Sequence, residues 1–83
     1  MKEIELIRTC YACPEQYDAF VDGEQVGYLR LRHGFFTVEY PDANGKLIYE
    51  AEPEGDGLFS DNEREYFLNK AKEEINKQLQ EGE

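Results

Sequence analysis

The sequence predicts an α+β fold, an antiparallel meander of four to five strands packed on one C-terminal amphipathic helix. Three observations carry this expectation. Between residues 3 and 52, short β-rich runs alternate with turn signals. Within those runs apolar and polar side chains alternate, which gives a sheet one apolar face. From residue 60 the apolar spacing changes to threes and fours, the period of a helix with one buried stripe. The 83 residues have room for one core, so a single domain is expected: strands over about 3–52, an acidic glycine-containing loop over 53–59, a helix over about 61–79 and a frayed tail at 81–83.

The first strand is "EIELIRTCYA", with Ile4 and Leu6 on one face and Ile7 and Tyr11 on the other. Pro14 to Gln16 read as a turn, because proline cannot continue a ladder. "YDAFV" is the second strand, and Asp22-Gly23 marks its reversal. Its register has two solutions. A two-residue turn puts Asp18 and Phe20 on the inner face, whereas a three-residue loop with Gly23 in the left-handed region puts Tyr17 and Ala19 there. The second is preferred because it avoids burying Asp18 without a partner. "QVGYLRLR" is the third strand, and a two-residue His33-Gly34 turn joins it to "FFTVEY". That turn pairs Leu31 with Phe36 and Leu29 with Val38. A loop at Asp42–Gly45 then sets Tyr40 against Leu47, Val38 against Tyr49 and Phe36 against Ala51 in the fifth strand, "KLIYEAE". Both turns put the same apolar face inward.

Leu68, Ala71, Ile75 and Leu79, with Phe67 beside them, form the buried stripe of the helix. Ser60 and Glu63 make a capping-box pattern at its start.

The formal net charge of −10 repels nucleic acid and anionic membrane surfaces, so no direct nucleic-acid binding is expected. The order of strands, Gly-Asp-Gly and helix is similar to the second half of a double-stranded-RNA-binding domain. That resemblance would imply phosphate contacts from basic residues at the helix start, where this chain has Asp61, Glu63 and Glu65. No hydrophobic stretch approaches the ~20 residues of a membrane span, and the charged start lacks the apolar run of a signal peptide. A cytoplasmic location without membrane attachment is the expectation.

One stretch matches a metal template. In "EPEGDGLFSDNE", Glu52, Glu54, Asp56, Gly57 and Glu63 fall at the first, third, fifth, sixth and twelfth places of a calcium-binding EF-hand loop. Glutamate is a methylene too long at the first and third places, and the preceding segment is a strand. A strand-to-helix junction explains the same residues, so no metal is expected there, and a weak calcium-binding loop at 52–63 is kept only as an alternative reading. Cys10 and Cys13 form a C-x-x-C pair, but a structural zinc site needs four ligands and only His33 is available to join them. Pro14 follows directly, so the helix start that activates a redox thiol is missing. His33 has no evident orienting partner. No cofactor motif, phosphate loop or nucleophile elbow occurs, and a non-enzyme is expected.

The candidate interaction residues lie on the polar face of the sheet: Tyr28, Arg30, Arg32, Phe35, Ile48 and Glu50. Arginines and aromatics are enriched at interface hot spots. On the expected register Arg30 faces Thr37 with Glu50 beyond, an arrangement suited to cross-strand ion pairing. The leading expectation is a small acidic protein-interaction module with an unidentified protein partner, as a monomer or a homodimer. The alternative is an acidic nucleic-acid mimic that occupies the groove of a nucleic-acid-binding protein. Its basis is the run Glu50–Glu65, which holds seven acids and one arginine, Arg64.

Overall fold

The computed structural model describes residues 3–10, 15–32, 34–54 and 59–81. Five strands, β1 (Glu5–Cys10), β2 (Glu15–Val21), β3 (Glu24–Arg32), β4 (Phe35–Tyr40) and β5 (Lys46–Ala51), are followed by one helix, α1 (Asp61–Glu81). The sheet order is β1-β2-β3-β4-β5 with every neighbour antiparallel, and α1 packs against β3, β4 and β5. The fold is therefore the α+β meander on a C-terminal helix that the alternating pattern predicts. Among the described residues, no helix is long and apolar enough to cross a membrane.

The β3–β4 pair has the expected register, with Leu29 opposite Val38, Leu31 opposite Phe36 and Arg32 opposite Phe35. Gly34 adopts a φ of 78°, the left-handed backbone that a tight hairpin turn requires. His33 lies outside the described residues.

The β2–β3 connection reaches the expected faces by a different geometry. Asp22 and Gly23 have φ of 51° and 83°, and Val21 pairs with Glu24, so the turn has two residues rather than three. A bulge then follows: Ala19 pairs with Gly27 and Phe20 with Gln25, leaving Val26 as the extra residue of β3. The bulge shifts the alternation by one residue. Tyr17 and Ala19 are consequently buried while Asp18 stays partly exposed.

Two expectations about strand ends are corrected. Glu15 and Gln16 belong to β2 rather than to a turn. A second bulge between Val38 and Glu39 leaves Ile48 unpaired, so Leu47 sits opposite Glu39 and Tyr40 opposite Lys46. Ile48 is thereby turned onto the core, and Leu47 becomes the exposed residue, at 49%.

The core lies between the inner sheet face and the stripe of α1. Leu29, Leu31, Phe36, Val38, Ala71 and Ile75 are essentially inaccessible to solvent. Phe36 is its centre. Its ring meets those of Phe59 at 5.0 Å, Phe67 at 6.0 Å and Tyr49 at 6.2 Å, all edge-on, the arrangement aromatic quadrupoles favour.

Close approach of helix to sheet explains Gly27. A Cβ there would stand 2.6 Å from Ile75 Cδ1 and 3.3 Å from the Ala19 Cβ. Gly27→Val is therefore expected to lower stability by about 1–3 kcal/mol through overpacking. Urea unfolding checks this, and an unchanged midpoint would mean that α1 lies further from β3 than described.

Candidate functional site

Two groups of polar side chains stand out, one buried between helix and sheet and one on the open sheet face. The buried group centres on Glu15. Its side chain is on the inner face of β2, and the residue is 1% exposed. Both oxygens are fully engaged. The Phe59 backbone N–H donates to Oε1 at 3.1 Å, Arg64 donates from Nε to Oε2 at 2.9 Å and from Nη2 to Oε1 at 3.2 Å, and the Tyr17 hydroxyl donates to Oε2. Arg8 adds a longer ion pair at 3.8 Å and places its guanidinium 6.0 Å from the centre of the Tyr17 ring.

Burial alone would raise the Glu15 pKa, but the hydrogen bonds from Arg64, Tyr17 and the Phe59 amide outweigh it and hold the carboxyl below the usual glutamate range. Burial, reinforced by its bond to Glu15, pushes the Tyr17 hydroxyl up to about 12, so it stays a donor at neutral pH. The hydrogen bond to Glu15 likewise holds the Arg64 guanidinium firmly charged. Among the described residues no buried side-chain polar atom lacks a hydrogen-bond partner. This cluster fastens the first turn of α1 to β2 across 49 residues of sequence. Its donors and acceptor are all turned on one another, which is the arrangement of a structural clamp rather than of a reacting centre.

The clamp was not read from the sequence, because Pro14 suggested a turn and glutamate is seldom buried. One signal was available: extending the inward alternation of Ala19 and Tyr17 back by two residues lands on Glu15. Beside the clamp, a groove of about 620 Å³ runs between β1 and α1, with Ile4, Leu6 and Leu68 lining it and the exposed Glu5 and Glu65 at its sides.

The metal-template stretch is organised around the helix start. Glu63 Oε1 accepts from the Ser60 N–H at 3.0 Å, the reach-back bond of a capping box, while Oε2 accepts from the Glu54 N–H at 2.9 Å. Glu63, which the template would make the bidentate ligand, thus ties Glu54 to the helix start. The Ser60 hydroxyl donates to Asn62 Oδ1 at 2.8 Å, and Arg64 also pairs with Asp61 at 3.1 Å. Glu52 and Glu54 are exposed, and Asp56 lies outside the described residues. So do Tyr11, Cys13 and Pro14, and with them the C-x-x-C reading.

The second polar group occupies the outer sheet face, which no helix among the described residues covers. Tyr28, Arg30 and Arg32 alternate along β3 and so share that face, with Phe35 and Thr37 beside them on β4. Arg30, Arg32, Phe35 and Thr37 enclose a depression of about 300 Å³. Phe35 is 50% exposed. Tyr28 is half-buried, and its hydroxyl accepts a hydrogen bond from Gln16 Nε2 at 3.0 Å. Glu50 stands on the same face, across from Thr37. Of the six candidate interaction residues, five share this surface and Ile48, turned inward by the bulge, does not.

The expected ion pairing is also corrected. Arg30 faces Thr37 with Glu50 beyond, but among the described residues neither Arg30 nor Arg32 forms an ion pair. Glu50 is two strand spacings from Arg30, roughly 10 Å of backbone separation. Thr37 stands between them and donates its hydroxyl to the Arg30 carbonyl at 3.5 Å.

Fold and surface together define a small acidic α+β protein, a five-stranded meander backed by a helix on one face and open on the other. Compared with known protein families, curated proteins and solved structures, the chain gave no match.

Proposed function

We propose that this chain is a non-catalytic protein-interaction module that binds its partner with the open face of the sheet. The observation that carries this reading is the cluster on β3 and β4, where a half-exposed Phe35 stands among Arg30, Arg32 and Thr37 around one depression. Arginine and aromatic side chains supply most of the binding energy at protein interfaces, and a rigid hairpin presents them at little entropic cost. The net charge of −10 keeps polyanions away, so a protein is the favoured class of partner. The buried Glu15 cluster serves the fold, and the open face carries the arginine and aromatic side chains suited to recognition.

Affinity purification from the source cell tests this, with the wild-type chain and Phe35→Asp run side by side. One protein recovered with the wild type and lost with the variant is the expected result, with both chains giving the same circular dichroism. A partner retained equally by Phe35→Asp would sink the assignment of this face.

A further inference from the structure

The structure points to a specific chemistry for that face. We propose that the depression between Arg30 and Arg32 is a carboxylate-recognition site, which takes an acidic side chain or chain terminus of a protein partner beside an apolar group packed on Phe35. This rests on the protein-interaction reading above and names what the surface recognises.

The two arginines are the reason. The chain has 19 Asp and Glu against 9 Lys and Arg, yet among the described residues both guanidinium groups are without an ion pair. Arg8, Arg64, Lys70 and Lys77 each pair with an acid. Among the described residues Lys46 and Lys72 do not, but they stand singly on β5 and α1, whereas Arg30 and Arg32 stand side by side on one strand face. Arg30 and Arg32 are two residues apart on β3, so they share a face at a separation of roughly 6.6 Å along the strand. Two like charges held that close, with no acid between them, favour an anion from outside. The guanidinium fork matches the planar carboxylate in a two-bond geometry.

Phe35 sits opposite Arg32 and Thr37 opposite Arg30, so the floor of the depression offers an aromatic ring and a hydroxyl. The overall negative field selects among anions. It opposes a dianionic phosphate about twice as strongly as a monoanionic carboxylate, and a polyanion more strongly still. A single carboxylate carried on an otherwise apolar segment is the ligand that meets both the local charge and the global one.

The test is a ¹H–¹⁵N titration of the whole chain with 3-phenylpropionate, its neutral amide 3-phenylpropanamide, and phenylphosphate. The expected result is saturable movement of the Arg30, Arg32 and Thr37 signals, with the carboxylate binding at least tenfold more tightly than the amide. Phenylphosphate should bind more weakly than the carboxylate. Arg32→Gln, at an exposed position, and the double variant with Arg30→Gln should each reduce the preference for carboxylate over amide, to near unity in the double variant. Equal binding of acid and amide, tighter binding of phenylphosphate, or a preference that survives both arginine substitutions would each overturn the proposal. The two readings fail separately: if the carboxylate does not bind while Phe35→Asp still releases the cellular partner, only the ligand chemistry falls.

Discussion

Glu15→Ala is expected to lower the stability of this protein by about 2–5 kcal/mol, because it removes the buried acceptor that joins Arg64 of α1 to β2. The Phe59 amide and the Tyr17 hydroxyl lose their acceptor at the same time. A domain of this size is stable by only about 4–12 kcal/mol, so the loss is a large fraction of the total. Urea denaturation measures the loss. The double variant Glu15→Leu with Arg64→Leu removes the charges together and should lose less than Glu15→Ala alone. Measured beside the two single leucine variants, the double variant should lose less than their sum, and additive losses would contradict the clamp.

The same carboxylate sets the acid limb of stability. Its native pKa lies below the ordinary glutamate value, so its contribution is complete above that value. The contribution is lost as the pH falls from about 4.3 through the lower native value. The wild-type urea midpoint should therefore drop in that window by more than the midpoint of the double leucine variant.

Phe36→Ala is the second large effect, at about 3–5 kcal/mol. The ring is 1% exposed and edge-packed on Phe59, Phe67 and Tyr49 from three different segments. Removing it opens a cavity at the point where β4, β5, the loop end and α1 meet. Those walls are fixed by sheet and helix hydrogen bonds and can collapse only partly. Phe36→Leu keeps much of the volume and should cost clearly less. A loss below about 1 kcal/mol for Phe36→Ala, measured by thermal or urea unfolding, would mean that the helix is not docked on this ring.

The parts of the structure legible in the sequence are those governed by alternation and local turn chemistry. Leu29, Leu31, Phe36 and Val38 were placed inward by a two-residue turn and the period of the strand, and they are inward. Ser60 and Glu63 announced the helix start by their spacing, and Glu63 makes the reach-back bond. Bulges were not legible. The extra residue at Val26 leaves no compositional mark, so the burial of Tyr17 and Ala19 was reached through a longer turn that is not present. The bulge at Ile48 exchanged the faces of Leu47 and Ile48, and with them one candidate interaction residue. The pairing of Glu15 leaves no local pattern, because its partner Arg64 comes 49 positions later.

The open-face surface was legible as a set of residue types, but its charge state was not. The register correctly put Arg30, Thr37 and Glu50 in line, and the line itself suggested neutralisation. Thr37 stands between the arginine and the acid, and among the described residues no ion pair joins them. An arginine pair left without acids on a strongly acidic protein is a property of three-dimensional placement, and the functional account depends on it.

The most direct test is calorimetric titration of the purified cellular partner with three chains: wild type, Phe35→Ala and Glu65→Lys. Phe35→Ala alters the open sheet face, whereas Glu65→Lys reverses a charge beside the β1–α1 groove. The account predicts that Phe35→Ala weakens binding about 30-fold or more, the size of a hot-spot truncation, while Glu65→Lys stays within about twofold of wild type. Unchanged affinity for Phe35→Ala with a large loss for Glu65→Lys would place recognition in the groove and contradict the account.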